Sequence, residues 1–163
     1  VALVAYVLVI EKLPLSSVGW RAPSLSSAGF GFLGAVVAFA GMAALYLYVI
    51  PHIDPAYGAK STALTALPLA LKVEIVLRAA IFEELFYRGF MIERLSSILR
   101  WRWLAAAISW AVFTAAHLSY WGWGSVLIAG FGGLVLTLLY LWRRDLSSNM
   151  IAHALTDGVA LFL

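Results

Sequence analysis

The stretch that decides the fold is IFEELFYRGF, residues 81–90. It places two adjacent carboxylates, Glu83 and Glu84, and the guanidinium of Arg88 inside a largely apolar run over residues 73–92. Charge is expensive in the middle of a segment that reads as membrane-spanning, so such residues usually face a cavity or a charged partner. On a helix Glu84 and Arg88 lie four residues apart on one face, where they can neutralise each other.

Glu83 is left without such a partner. It points about 100° away from Glu84 on a helix of 3.6 residues per turn. Glu74 and Arg78 repeat the four-residue spacing nearer the start of the run, which favours structural ion pairing as the simplest explanation of the other charges. An unpaired carboxyl in an apolar setting is suited to accept a proton, and such groups are frequent at functional sites. Glu83 is therefore the first candidate for catalysis.

The composition predicts an integral membrane protein. Of 163 residues, 64% are hydrophobic and 12% charged, and mean hydropathy is +0.96. A soluble domain carries about twice that charged fraction. A spanning helix needs roughly 20 apolar residues, so the length allows about six transmembrane helices in an all-α polytopic fold. The absence of cysteine excludes disulfides, thiol nucleophiles and zinc–thiolate sites. The net charge of +3 is attributed to loop arginines, and no nucleic-acid partner is expected.

The apolar pattern predicts one transmembrane domain over residues 1–163. Residues 1–28 are expected to be a truncated first helix followed by an interfacial loop rich in proline and serine. A short interfacial helix is expected at 62–70 and a charged connector at 93–102. The remaining predicted spans are 29–50, 72–92, 103–117, 125–142 and 146–163.

Loop charges predict the orientation of these spans. Three connectors that must share one side hold seven basic residues: Lys12, Arg21, Arg94, Arg100, Arg102, Arg143 and Arg144. The opposite side holds only Lys60 and Lys72. The positive-inside rule then puts the basic loops in the cytoplasm, with the protein in a prokaryotic cytoplasmic membrane surrounded by lipid.

Two histidines are candidates for meeting Glu83. His117 ends the fourth span, and His153 lies in the sixth with Asn149 and Asp157 one turn before and after it on the same face. At a rise of about 1.5 Å per residue, Glu83, His153 and His117 lie roughly 15, 10 and 20 Å from the predicted cytoplasmic ends of their spans. A lone buried histidine more often has a packing role, but helix tilt can bring these three groups together.

Two chemistries fit a cluster of one glutamate and two histidines. In the first, Glu83 is a general base that activates water, while the imidazoles stabilise an oxyanion. In the second, Glu83, His117 and His153 hold a zinc ion with water in its fourth position. The His-Glu-x-x-His signal of zinc proteases is absent from the sequence, as is the Gly-x-Ser-x-Gly elbow of serine hydrolases.

The order of the polar motifs resembles a known family. Glu-Glu-x-x-x-Arg (83–88), Phe-x-x-x-His (113–117) and His-x-x-x-Asn/Asp (153–157) occur in the order found in the CPBP family. That family comprises the CAAX prenyl endopeptidases and the bacteriocin-processing or self-immunity (Abi) membrane proteins. The resemblance covers residues from about 70 to 163, where all the predicted catalytic motifs lie.

The resemblance implies an intramembrane endopeptidase that cleaves a peptide or membrane-protein substrate near the cytoplasmic side and needs no cofactor. It implies that Glu83 activates water, that Glu84 and Arg88 form a supporting pair, and that His117 and His153 hold the water and the oxyanion. Asp157 stands where the prenyl-protein endopeptidases have asparagine. An ionised carboxylate cannot donate to an oxyanion, so Asp157 is either protonated or orients His153.

Two functions of other classes fit the same sequence. The first is a non-catalytic immunity or scaffolding protein that binds a toxin peptide or a sensor kinase, a role suspected for some members of the family. The second is a small transporter or proton relay that uses the buried ionisable groups. Neither an inverted repeat nor a pair of broken helices is evident in the sequence, which disfavours the transporter.

Overall fold

The computed structural model describes residues 2–162, except the side chains at 60, 61 and 119–121. Over that range the chain is helical and contains no strand, which confirms the predicted all-α class. A short α1 (Ala2–Ala5) continues as a π-helix (Tyr6–Ile10), and a 3-10 turn follows (Leu15–Val18). The other helices are α2 (Leu25–Tyr48), α3 (Ile50–Ile53), α4 (Tyr57–Thr65), α5 (Leu69–Arg78), the central π-helix (Ala79–Met91), α6 (Ile92–Leu99), α7 (Arg102–Trp121), α8 (Trp123–Arg143) and α9 (Leu146–Phe162).

Two of the described helices, α2 and α8, are long and apolar enough on their own to cross a membrane. Each has a mean hydropathy of 2.0 over its most apolar window. The predicted count of about six spans stays a prediction. Lys60 was part of the charge argument, but its side chain lies outside the described part of the chain. The same holds for the side chains of Tyr120 and Trp121.

Several predicted boundaries were wrong for local reasons. Helix α2 begins four residues before the predicted span because Ser24 caps it: the Ser24 hydroxyl accepts from the Ser27 amide at 3.0 Å, and Ser27 reciprocates. The helix predicted at 62–70 is displaced to Tyr57–Thr65, and Pro68 starts a new helix there, since proline is well suited to a helix N-terminus.

The predicted span over 72–92 is the middle of a longer rod. Helix α5, the central π-helix and α6 follow one another without a break from residue 69 to residue 99. The connector predicted from residue 93 was therefore wrong up to Leu99, and the rod ends where Arg100 adopts a positive φ of 55°. In the π-helix backbone hydrogen bonds reach back five residues, as from the Ile92 amide to the Tyr87 carbonyl. The turn there is wider than in an α-helix.

The helices pack around this rod. Helix α2 lies against α8 and α9, α7 lies against α6 and α8, and the central π-helix contacts α7 and α9. Small residues allow the close approach of α2 and α9, since a Cβ on Gly31 would lie 2.8 Å from the Ile151 side chain.

Three connectors meet at one end of the bundle, here called the basic end. Arg94 donates to Glu11 of the first connector, and Arg144 of the last connector pairs with Glu93. The Leu146 amide donates to the Gly19 carbonyl at 2.9 Å. The connectors that the charge pattern assigned to one side therefore lie together.

Candidate active site

Glu84 is the centre of a buried polar cluster. Its side chain is fully buried, and Oε1 accepts a hydrogen bond of 2.8 Å from Arg88 Nη1. The same oxygen lies 2.8 Å from His153 Nδ1, while Oε2 accepts from Asn149 Nδ2 at 3.1 Å. The geometry predicted for the Glu84–Arg88 pair is present in the structure. The cluster also ties the central π-helix to α9, which satisfies a buried carboxylate from two helices.

Arg88 extends this cluster to α7 and α8. Its Nη2 donates to the Gly133 carbonyl at 3.0 Å, and its guanidinium carbon lies 4.2 Å from the centre of the Phe113 ring. Such stacking suits a desolvated guanidinium, which aromatic faces attract. A Cβ at Gly133 would lie 2.7 Å from the Phe113 ring and 3.3 Å from Arg88 Nη2, so glycine permits this packing.

His153 lies between two carboxylates. Its Nδ1 faces Glu84, and its Nε2 lies 3.3 Å from Asp157 Oδ2. Because ionised carboxylates only accept hydrogen bonds, a ring between two ionised carboxylates would donate from both nitrogens. The predicted convergence of Glu83 with His153 takes the form of a shared cavity lining, while the adjacent Glu84 contacts the ring directly. Of the two roles left open for Asp157, the geometry fits the orientation of His153.

Glu83 faces a cavity of about 480 Å³. Its polar lining residues include Glu83, His117, His153 and Asp157, and the lining also contains Tyr57, Arg78, Ser125 and Thr156. Glu83 is half-buried and has neither a hydrogen bond nor an ion pair with any described residue. The cavity thus gathers the four predicted catalytic side chains around a space that water or substrate can occupy.

His117 reaches the cavity through one free ring nitrogen. Its Nδ1 lies 2.8 Å from the Phe113 carbonyl, one turn earlier in α7. A carbonyl only accepts, so Nδ1 carries the hydrogen, and in the neutral ring Nε2 is left as an acceptor. The Phe113 ring also packs on the imidazole with centroids 4.7 Å apart. Phe113 thus supports both His117 and Arg88.

The zinc alternative does not fit this donor set. Both nitrogens of His153 point at carboxylates, so its ring offers no lone pair to a metal ion. Among the side chains that the structure describes, no group of three His, Asp or Glu residues is arranged to hold a metal. The residues present fit a metal-free site better than a His₂Glu site.

The cavity occupies the half of the bundle that is farther from the basic end. Its walls come from the second half of α2, the first half of α8 and the second half of α9, together with Tyr57 and Leu64 of α4. The cytoplasmic location of the basic end and cleavage near the cytoplasmic side both stay predictions.

Sequence reasoning missed part of the site. Asn149 was placed on the His153 face, but its bond to Glu84 was not foreseen, and neither was its second bond, 2.7 Å long, to the Leu136 carbonyl. The four-residue spacing of Asn149 and His153 could have indicated that both side chains reach one shared partner. The sequence could not indicate that the Gly133 carbonyl accepts a hydrogen bond from Arg88, because every residue type has a backbone carbonyl.

The comparisons with known proteins agree with the motif order. The family model described as type II CAAX prenyl endopeptidase Rce1-like matches residues 63–159, more than half of the chain. The matched range contains Glu83, Glu84, Arg88, His117, His153 and Asp157. Searches of curated proteins and of solved structures found no match. The resemblance predicted from the motifs is thus confirmed, and the chain belongs to the Rce1-like family of type II CAAX prenyl endopeptidases, which are membrane-integral proteases.

Proposed function

We propose that this protein is an intramembrane endopeptidase in which Glu83 is the general base. The observation that carries the proposal is the contrast between two adjacent carboxylates. Glu84 is fully buried and engaged by three side chains, whereas Glu83 faces the cavity with no described hydrogen-bond or ion-pair partner. A carboxylate free of structural partners is available to accept a proton from water.

The proposed reaction consumes one water molecule. Glu83 takes a proton from that water as its oxygen attacks the carbonyl carbon of the scissile peptide bond, giving a tetrahedral intermediate with a negative oxygen. The carbon–nitrogen bond then breaks, and the proton is delivered to the leaving amine. The products are a carboxylic acid and an amine, which exchange a proton to become a carboxylate and an ammonium group, and Glu83 returns to its ionised state.

The two histidines have different proposed parts. The free Nε2 of His117 accepts a hydrogen bond from the water and so aims it at the carbonyl carbon. His153, held between Glu84 and Asp157, brings positive charge to the cavity wall and stabilises the oxyanion electrostatically. Asp157 is a positioning residue in this scheme, since it keeps the imidazolium oriented and charged.

The proposed substrate is a protein tail or peptide of the prenylated CAAX type named by the family. An apolar wall from α2 and α8 suits a lipid-modified chain, and the exposed apolar surface of the bundle suits lateral access from the membrane. We propose that the tail reaches Glu83 from the cavity half of the bundle. The cytoplasmic location of that half remains a prediction.

The test is cleavage of a prenylated CAAX peptide by purified protein carrying Glu83→Gln. Loss of a general base lowers the rate by about 10²–10⁴-fold. Glu74→Gln, a matched loss of one carboxylate on the same rod outside the cavity lining, should retain the kcat of the parent protein. Full activity in Glu83→Gln would overturn the mechanism, and absence of cleavage by the parent protein would favour a binding or scaffolding role.

A further inference from the structure

Arg78 lies on the cavity wall with most of its hydrogen-bonding capacity unused. Its side chain is 65% exposed, and its one ion pair among the described residues joins Nε to Glu74 Oε1 at 3.5 Å. Both terminal guanidinium nitrogens are therefore free. An exposed pair of this length contributes about 0–1 kcal/mol, so a better acceptor can displace Glu74.

The central π-helix brings Arg78 to the same wall as Glu83. On a continuous α-helix, five residues would rotate the two side chains about 140° apart. Arg78 is the last residue of α5, directly before the π-helix, and the wider turns of the π-helix reduce that angle. Both side chains line the one cavity as a result.

The spacing of these groups matches a short stretch of peptide. Five residues advance about 7.5 Å along an α-helix, and less where the turns are wider. Two or three extended residues span roughly 7–11 Å. A peptide whose scissile carbonyl lies beside Glu83 can thus place a group two or three residues onward next to Arg78.

Charge decides which group belongs there. Glu83 and Asp157 disfavour an anion at their part of the wall, and His153 already lies between two carboxylates, whereas Arg78 is the one guanidinium on the described lining. Guanidinium and carboxylate form two parallel hydrogen bonds, which lysine cannot reproduce.

We propose that Arg78 is a specificity-determining residue that binds a carboxylate of the substrate two or three residues beyond the scissile bond. The carboxylate is either the free C-terminus of the chain or an acidic side chain. The inference rests on the proposed function for its choice of a peptide ligand, but its test measures binding and needs no cleavage.

The experiment measures binding of three prenylated CAAX peptides to Glu83→Gln protein in nanodiscs of zwitterionic lipid. The peptides end in a free carboxylate, in an amide, or in an amide with aspartate as the last residue. One charge-assisted contact on a partly exposed group should make the acid bind about tenfold tighter than the amide. Tight binding of the aspartate peptide would assign the site to any nearby carboxylate, and weak binding would assign it to the C-terminus.

Variants identify the residue responsible. Arg78→Gln should remove the preference for the acid, while Lys72→Gln, a matched loss of positive charge on α5 outside the cavity, should retain it. Equal binding of acid and amide, no binding of either, or a preference that survives Arg78→Gln would overturn the inference. Loss of the preference in anionic nanodiscs would also overturn it, since Arg78 would then bind lipid phosphate.

Cleavage of acid and amide with equal KM by the parent protein would overturn this inference alone, whereas Arg78-dependent binding without cleavage would overturn only the proposed function.

Discussion

Replacing Glu84 with glutamine should destabilise the fold far more than the same change at Glu83. Glu84 accepts hydrogen bonds from Arg88 and His153, each 2.8 Å long, and from Asn149 at 3.1 Å, with no exposed surface. Glutamine can keep its oxygen toward Arg88 and His153 only by turning its NH₂ group toward the Asn149 Nδ2 donor, and it lacks the negative charge that offsets Arg88. Removing one partner of a buried ion pair costs about 3–5 kcal/mol, because the other charge stays buried and uncompensated.

Thermal unfolding in detergent measures this cost. For a chain of this size about 3–5 kcal/mol corresponds to a decrease in Tm of roughly 6–20 °C. Glu83→Gln should leave Tm almost unchanged, because Glu83 has no described hydrogen bond to lose. Glu74→Gln breaks an exposed pair with the same four-residue spacing as Glu84 and Arg88, so it isolates burial as the variable. Its cost should be below about 1 kcal/mol.

The outcome that would refute this reasoning is a common Tm for the three variants. It would mean that the Glu84 carboxylate is solvated or protonated in the folded protein, so that its charge is not what holds Arg88 and His153. A large decrease for Glu83→Gln would be equally damaging, because it would give that carboxylate a structural role that conflicts with its proposed catalytic one.

Two further predictions concern packing and pH. Gly133→Ala should lower the free energy of unfolding by about 1–3 kcal/mol, because the new Cβ would lie 2.7 Å from the Phe113 ring. Gly158→Ala should be neutral or stabilising, because the space around Gly158 is open. Equal Tm values for the two variants would contradict this prediction. Hydrogen bonds from Arg94 hold the pKa of Glu11 below its ordinary value of 4.5, so the folded state favours the ionised carboxylate. The stabilisation is present above about pH 4.5 and is lost as the pH falls through the lower pKa of the folded state. The Tm difference between the parent protein and Glu11→Gln should therefore shrink on acidification. A Tm difference that is independent of pH would exclude the Glu11–Arg94 pair as its source.

The coarse fold could be predicted because hydrophobic content and turn residues are local properties. The α8 helix and the break at Arg143–Asp145 follow from an apolar run that ends in charge, and α9 begins where the run resumes. The continuation of the central rod beyond residue 92 could not be predicted. Glu93 looks like a connector residue, but in the fold it is paired with Arg144 and Tyr140, which allows the helix to continue.

The site was predictable up to the point where side-chain partners had to be chosen. The motifs indicated that Glu83, His117 and His153 could lie near one another, and all three line the cavity. The sequence could not decide which of the two adjacent glutamates would contact His153. That choice depends on the rotation of the rod, and the wide turns of the π-helix alter it. The acceptor role of the Gly133 carbonyl likewise depends on how closely α8 approaches the rod.

The π-helix also makes the site sensitive to chain length. Inserting or deleting one residue between Arg78 and Arg88 would rotate every later side chain by about 100° on helical geometry. The cavity-facing carboxylate would then exchange places with the structural one, or both would face lipid. Insertions should be tolerated in the connector at 66–68, where no described side chain carries a charge or a hydrogen bond to another helix, so a loop graft can be placed there.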